Sequence, residues 1–242
     1  MLMTAAEIQQ LAARAPLAPG YRFVLLERAE ISALVANVAA WFPDISVGGA
    51  SCYLREDFYH QDVFFPDTAE RRHLVLLLKR ADEVAGMFSI ELDPHTLSLY
   101  AGLGVSAPEH RGANLAQAGM MFCEVVGRRI GAGFVYGLAT LKNPYAQRAF
   151  ERAGWKLIGI APGYDREMVA PGVVKRIYEA MYAKVLAADT AILHPQRQNL
   201  TPRTLAFFDW VFEGSGPGCE SVDPDLTPTQ TDERLPVYAS TL

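Results

Sequence analysis

Hydrophobic positions along the chain recur with two periods, one typical of helices and one typical of strands. Apolar residues three and four apart predict amphipathic helices, and short apolar runs between turn residues predict strands. The pattern predicts helices over 4–15, 30–42, 112–131, 144–153 and 201–212, and strands over 21–27, 73–79, 83–92, 97–105, 134–140, 155–160 and 173–186. The mixed order of these elements predicts an α/β protein of the α+β type, with helices packed on a central sheet.

The connections between the strands predict how the strands pair. Only short turns separate the second, third and fourth strands, which predicts an antiparallel meander. The strand 97–105 is followed by a full helix before 134–140, and such a crossover predicts a parallel pair. Gly102 and Gly104 indicate a bulge or the close approach of a ligand. Residues 162–172 are expected to form a loop between the last two strands.

Two segments lie outside this pattern. Residues 44–70 are rich in aromatic side chains and are predicted to be irregular or mixed. Such a connection either lines a pocket or is a loop that packs its own aromatic rings. From Glu213 onward Gly, Ser, Pro, Thr and Asp dominate, so this tail is predicted to be mobile or loosely docked. We therefore expect a main domain, 1–186, and a C-terminal extension, 187–242.

Composition and charge narrow the class of protein. Of the 242 residues, 50% are hydrophobic and 20% are charged, which is typical of a globular chain with a core. The net charge of −5, without a long basic run, disfavours a nucleic-acid partner. The N-terminus does not resemble a secretory signal, and the sequence has no apolar run as long as a membrane span. The three cysteines have neither a metal-ligand nor a disulfide spacing. We therefore expect a cytoplasmic protein with no bound metal, and neither nucleic acid nor a membrane as its partner.

The junction between the third meander strand and the following helix has the features of an anion-binding turn. The first amides of a helix have no internal partner, and their dipoles favour an anion. Gly112, Ala113 and Ala116 are small enough to let phosphate oxygens approach the backbone. Arg111 adds a fixed positive charge beside them. The junction therefore predicts a phosphate-binding site.

This junction resembles the pyrophosphate motif of the GNAT superfamily of acyl-CoA-dependent N-acyltransferases. In that motif a Pro and an Arg-Gly pair follow a strand, and a small residue closes the turn. Pro108, Arg111-Gly112 and Ala116 match these positions. Asn114 replaces the family's usual glycine, but Asn is among the residues that tolerate a positive φ, so the turn is expected to survive.

The stretch Asn143–Trp155 resembles the second signature of the same family. That signature has an Asn, an Ala three residues on, an aromatic residue before Glu, and a closing Gly followed by an aromatic residue. The matching residues are Asn143, Ala146, Phe150-Glu151 and Gly154-Trp155. The resemblance covers roughly 73–186, and the first elements at 21–42 also fit it.

The resemblance implies a GNAT-like mixed, mostly antiparallel central sheet with one splayed parallel pair, flanked by helices. It implies acetyl-CoA, or another acyl-CoA, as co-substrate, with the pantetheine arm inserted where the parallel strands separate. A backbone N–H near Val105 would stabilise the thioester oxyanion, and Asn143 either touches the arm or only caps its helix. The implied cofactor-binding residues are Leu103, Gly104, Val105, Arg111, Gly112, Ala113, Asn114, Leu115, Ala116 and Asn143.

Acyl transfer to an amine needs a base for the amine and an acid for the leaving thiolate. The family's usual tyrosine acid corresponds to Phe150, which has no proton to donate. Tyr164, Tyr178 and Tyr182 are the other candidates for the acid. The candidates for the base lie on the third strand, in the turn and in the predicted loop: Glu91, Glu109, His110, Asp165 and Glu167. A Glu such as Glu91, on a central strand facing the cleft, would have a raised pKa suited to this role. We take Glu91, Tyr164 and Tyr182 as the catalytic candidates.

The resemblance implies an N-acyltransferase that moves an acetyl group from acetyl-CoA to a primary amine of a small molecule or peptide, by direct attack in a ternary complex. Transfer of a longer acyl chain is an alternative that would need extra apolar volume near 44–70. A non-catalytic acyl-CoA-binding sensor is another. An acidic cleft built from Glu91, Asp165 and Glu167 would indicate a cationic acceptor. The sequence leaves the oligomeric state open, although the long final strand could pair across a homodimer.

Overall fold

The computed structural model describes residues 3–64 and 73–213, and the chain divides into two compact units, Met1–His194 and Pro195–Leu242. The elements of the first unit are the helices α1 (Ala5–Ala12), α2 (Ile31–Trp41), α3 (Glu56–Phe58), α4 (Leu115–Ile130) and α5 (Tyr145–Arg152), and the strands β1 (Tyr21–Leu25), β2 (His73–Arg80), β3 (Glu83–Asp93), β4 (Ser98–Ser106), β5 (Phe134–Thr140), β6 (Lys156–Ala170) and β7 (Val173–Val185). Among the described residues, no helix has both the length and the apolarity needed to cross a membrane.

The described strands form one sheet of seven, in the order β1-β2-β3-β4-β5-β7-β6. Every neighbouring pair is antiparallel except β4 and β5, which are parallel. The predicted meander and the predicted parallel pair are therefore confirmed. β7 lies between β5 and β6, so its residues from Glu179 to Ala183 are paired on both edges. Because of this pairing, that part of the final strand has no free edge for pairing across a dimer in the described structure, and the dimer itself stays a prediction.

Helices cover both faces of the sheet. One hydrophobic cluster joins α1 and α4 to the sheet and includes Ile8, Phe88 and Phe122. A second cluster joins α2 and the segment after it to the opposite face and includes Val38 and Tyr59. The predicted packing of helices on a central sheet is confirmed, because the apolar residues of β2 alternate between these two clusters.

Local signals in the sequence determine several helix ends. Thr4 and Glu7 form the capping box of α1. Gly131, with φ +77°, ends α4 in the left-handed conformation that glycine adopts without strain. In α5, the predicted cap is displaced by one residue: Asn143 Oδ1 accepts the Tyr145 N–H at 3.1 Å, and the helix begins after Pro144.

The predicted loop at 162–172 is wrong, because these residues belong almost entirely to β6 and to its hairpin with β7. β6 runs to Ala170, and only the turn at Gly172, with φ +72°, separates it from β7. Pro162 and Gly163 fall within a register shift of β6, where Gly163 has φ +65°. A bulge accommodates these two residues without ending the strand, and the pairing with β7 resumes at Asp165.

The segment at 44–70 is confirmed as irregular over its described part. It consists of short helical turns at Pro43–Ser46, Gly49–Leu54 and Tyr59–Val63 around α3, and residues 65–70 lie outside the described range. In the second unit, α6 (Pro202–Phe208) and the helical turn Asp209–Glu213 confirm the predicted helix at 201–212. The prediction for the tail after Glu213 lies outside the described residues.

Candidate functional site

A cleft opens where the parallel strands β4 and β5 separate. Their pairing runs from Ser98 and Phe134 to Ala101 and Gly137, and in the described structure it stops there although both strands continue. The cleft has a volume of about 630 Å³ and is lined by both strands and by α4, β6 and β7. The splayed parallel pair implied by the resemblance is therefore present.

A bulge in β4 lies at the point of separation. Gly102 and Leu103 together oppose Ser89 on β3, and Ser89 Oγ accepts the Leu103 N–H at 2.7 Å. Tyr53 Oη is also 2.7 Å from Ser89 Oγ. A Cβ atom on residue 102 would lie 2.6 Å from Ser89 Oγ, so glycine is required there. The bulge predicted from Gly102 is confirmed, and it turns the end of β4 away from β5.

The backbone of β4 offers free hydrogen-bonding groups to the cleft. The Ala107 N–H donates to the Ala85 carbonyl on β3. Alternate residues of an antiparallel strand point their amides the same way, so the Val105 N–H also faces β3. The amides of Gly104 and Ser106 point in the opposite direction, toward the cleft. We therefore move the expected oxyanion donor from Val105 to Gly104, which lines the cleft.

The turn before α4 has the geometry of a phosphate cradle. Gly112 has φ +86° and Asn114 has φ +56°, so the tolerance expected of Asn114 is confirmed. The Asn114 side chain does not cap α4. The first hydrogen bond within the helix runs from the Ala118 N–H to the Asn114 carbonyl. The three preceding amides therefore have no partner within the helix and are available to an anion. Ala116 lines the cleft beside them.

The other residues that the resemblance assigns to cofactor binding differ in exposure and in their contacts. Arg111 is exposed, and its Nη2 donates to the Trp41 carbonyl at 3.1 Å, which anchors the guanidinium beside the turn. Leu115 is buried in the core under the helix, and Ala113 packs against that core. Asn143 accepts the Tyr145 N–H just before α5, and its contact with the pantetheine arm stays a prediction.

The acidic side chains that line the cleft come from β3, β6 and β7, and we call this part of the cleft the acceptor half. Glu91 lines it, but Glu91 Oε2 is 3.4 Å from His73 Nε2. This hydrogen bond lowers the pKa of Glu91. The expectation of a raised pKa at Glu91 is therefore wrong, because its neighbour on β2 stabilises the ionised form.

Glu179 on β7 is the residue that the sequence reasoning missed. It lines the cleft, and its Oε2 is buried without a hydrogen-bond partner among the described residues. Burial, reinforced by the charges of Asp165 and Glu167, raises the pKa of Glu179 to about 7. The only signal in the sequence was a Glu between Ile177 and Met181 on one strand face. A carboxylate with these properties is suited to take a proton near neutral pH.

Asp165 and Glu167 have other partners. Asp165 lines the cleft and accepts the Gly49 N–H at 2.9 Å. Glu167 is almost fully buried and accepts from Lys142 Nζ, which also donates to Asp44. These contacts hold the segment after α2 against β6. Residues of the 44–70 segment therefore form part of the cleft wall, as one of the two interpretations expected.

The candidate acids lie in different places. Tyr164 lines the cleft and is 63% exposed. Tyr182 donates to Glu151 on α5 at 2.9 Å, and its ring stacks on Phe150 at 5.1 Å. Burial and the contact with Glu151 raise the pKa of Tyr182. The structure therefore brings Tyr164 near Glu179 but turns the Tyr182 hydroxyl toward α5.

Comparison with known proteins agrees with this geometry. The profile described as "Acetyltransferase (GNAT) family" matches residues 36–155, which include the bulge, the turn and α5. A comparison with curated protein sequences finds no match. The chain therefore contains a GNAT acetyltransferase domain.

Solved structures share the fold at low sequence identity. RimL, a ribosomal L7/L12 alpha-N-protein acetyltransferase in complex with coenzyme A, has a TM-score of 0.58 and 14% identity over 72% of this chain and 99% of its own. An acetyl transferase from Salmonella typhimurium that modifies the N-terminal serine of L7/L12 has a TM-score of 0.54 and 14% identity over 72% and 99%. The dodecameric spermidine N-acetyltransferase from Vibrio cholerae has a TM-score of 0.54 and 14% identity over 69% and 95%. These similarities support the fold.

Proposed function

We propose that this protein transfers an acetyl group from acetyl-CoA to a primary amine of a cationic small molecule or peptide. The observation that carries the proposal is the position of Glu179. Its Oε2, which has no hydrogen-bond partner among the described residues, lies in the same cleft as Gly104 of β4 and Ala116 at the start of α4. One cleft therefore combines a place for an acyl-CoA with a base for the amine.

The cofactor half would bind acetyl-CoA mainly through its backbone. The pyrophosphate would lie on the amides that begin α4, with Arg111 beside it. The pantetheine arm would extend along the free edge of β4, as an added strand would. The Gly104 N–H would then donate to the thioester carbonyl and stabilise the negative charge that develops on its oxygen during attack.

The acceptor half would prepare the amine. Glu179 takes a proton from the ammonium group, and the free amine attacks the thioester carbon within the ternary complex. The tetrahedral adduct then expels the coenzyme A thiolate as its C–S bond breaks, and its nitrogen loses a second proton to give the neutral amide. The thiolate takes up a proton from Tyr164 or from water, and the proton released by the nitrogen replaces the one that Tyr164 or the water gave up. In this proposal the transfer is direct, and no side chain carries the acetyl group.

Charge in the acceptor half favours a cationic acceptor. Glu91, Asp165 and Glu179 all line the cleft, and the rings of Tyr100 and Tyr136 lie 5.2 Å apart on its floor. Carboxylates and tyrosine faces both attract ammonium groups. The family model that matches is that of acetyltransferases, so we prefer acetyl, although apolar residues such as Ile45 and Phe58 of the 44–70 segment also line the cleft. RimL and the spermidine enzyme are named for amine substrates, which is consistent with this choice.

A panel of amines tests the proposal. The purified chain is incubated with acetyl-CoA and with diamines, aminoglycosides, amino acids or peptides with free N-termini, and the release of free coenzyme A is measured. We expect turnover with at least one cationic amine and little with neutral ones. Acetyl-CoA binding is measured on the same sample by calorimetry. Tight binding without turnover on any amine would contradict the proposed catalysis and favour a sensor.

A further inference from the structure

We propose that Glu83, Glu109 and His110 form a binding site for a divalent transition-metal ion outside the cleft. Glu83 is the first residue of β3, and the other two residues lie in the single helical turn that precedes Arg111. A nitrogen of His110 and one carboxylate oxygen from each Glu all lie within 4.8 Å of one another. The three residues come from two separate parts of the chain, so only the fold brings them together.

The spacing of the donor atoms fits a metal ion. His110 Nε2 lies 3.4 Å from Glu83 Oε2. Two ligands bonded to zinc at a tetrahedral angle are separated by about 3.3 Å, given usual bond lengths of about 2.0–2.1 Å. Glu109 is exposed, so a change of rotamer is enough to bring its oxygen within bonding distance.

The buried Nε2 of His110 is an independent indication that this site binds a ligand. The residue is only 6% exposed, and its Nε2 makes no hydrogen bond with any part of the chain that the structure describes. A buried polar atom without a partner costs about 1–3 kcal/mol, so such atoms usually have a purpose. The atom is directed at the two carboxylates, and an ion between them would satisfy it.

The other ring nitrogen of His110 contacts Tyr21, and this contact orients the ring. His110 Nδ1 lies 3.0 Å from Tyr21 Oη, and the two rings meet edge to face. If Nδ1–H donates to the tyrosine oxygen, the lone pair of Nε2 points toward the carboxylates. Metal-binding histidines are usually oriented by a second hydrogen bond of this kind.

The donor set selects the ion and suggests its role. One imidazole and two carboxylates, with positions left for water, suit Zn²⁺, Co²⁺ or Mn²⁺ better than Ca²⁺ or Mg²⁺, which prefer oxygen ligands. Both Glu side chains are exposed, so an ion can enter from solvent. A bound ion would tie β3 to the turn before α4 and would neutralise two carboxylates near the phosphate cradle.

Cobalt titration of the metal-stripped full chain tests the site. Co²⁺ alone is added, and visible absorption reports the number of ions bound and their coordination. We expect one Co²⁺ per chain and a rise in melting temperature with Zn²⁺. Glu83→Gln and His110→Gln should abolish this tight binding, whereas Tyr21→Phe should weaken it about 10- to 100-fold. His95→Gln, an exposed histidine elsewhere, is the matched control and should change nothing.

The outcomes separate a real site from its alternatives. Equal Co²⁺ binding by the parent and by Glu83→Gln would overturn the proposal and indicate adventitious surface binding. No binding by the parent would also overturn it, and His110 would then only form an ion pair with Glu83 when protonated. Because Glu83 and Glu109 are exposed, their Gln variants should fold even if His110→Gln does not.

Discussion

The two halves of the cleft are built in different ways. The cofactor half consists mainly of backbone: the bulge at Gly102, the free edge of β4 and the amides that begin α4. The acceptor half consists of side chains that reach the cleft from β3, β6 and β7, such as Glu91, Asp165 and Glu179. The first half depends on φ angles and small residues, whereas the second depends on how distant strands pack.

This difference predicts that the two halves can be damaged separately. Substitutions in the turn should change acetyl-CoA binding and leave the chemical step intact. Substitutions on β7 should change the chemical step and leave acetyl-CoA binding intact. A single measurement of kcat/KM would confuse the two effects, so affinity and turnover at saturation must be compared.

The largest effect is expected from Glu179→Gln. Loss of a general base lowers kcat/KM about 10²- to 10⁴-fold. The parent should gain activity as the pH rises through about 7, where Glu179 loses its proton. The variant should lack this rise in activity. Acetyl-CoA affinity should be unchanged.

Glu91→Gln is the matched control, because Glu91 lines the same cleft but is paired with His73. We expect this variant to keep the rise in activity near pH 7 and to lose far less activity than Glu179→Gln. If instead Glu91→Gln removed the rise in activity near pH 7 and Glu179→Gln did not, the base would be Glu91, as the sequence first indicated.

The next effect is expected from Arg111→Ala in the cofactor half. A hydrogen bond to a charged group contributes about 1.5–3 kcal/mol, so acetyl-CoA should bind roughly 10- to 100-fold more weakly. Turnover at saturating acetyl-CoA should stay near that of the parent. Arg128→Ala, an exposed arginine in the last turn of α4, is the control. Equal affinities for both variants would remove Arg111 from the phosphate site.

The same contrast explains how much the sequence predicts. The turn at 111–116 is continuous in sequence, so its glycine, its small residues and its arginine are visible as a motif. The bulge was indicated by Gly102 and Gly104. Glu179 reaches the cleft only because β7 inserts between β5 and β6, and strand order cannot be seen in a local pattern. The pKa of Glu91 was misjudged for the same reason, since His73 lies on another strand.

The pH dependence of stability offers a smaller effect in the acceptor half. A carboxyl with a raised pKa holds its proton to a higher pH in the folded chain than in the unfolded chain. Its ionisation therefore costs stability as the pH rises from about 4.5 through about 7. At pH 8 the free energy of unfolding of Glu179→Gln should exceed that of the parent by about 1–2 kcal/mol, after allowance for solvent screening. Denaturant unfolding measures this difference. The difference should disappear near pH 4. A variant less stable than the parent at pH 8 would contradict a desolvated Glu179.

The smallest effect concerns the backbone of the cofactor half. Asn114 has φ +56°, a conformation that costs a residue with a Cβ atom about 1–2 kcal/mol unless its side chain tolerates it. Asn114→Ala should therefore lower the free energy of unfolding by about 1 kcal/mol, whereas Asn114→Gly, the residue usual in the family motif, should be close to neutral. Urea unfolding measures both, and acetyl-CoA titration shows whether the cradle keeps its shape. If Asn114→Gly bound acetyl-CoA more weakly than Asn114→Ala, the Asn side chain itself would contact the cofactor, and this half would no longer be built from backbone alone.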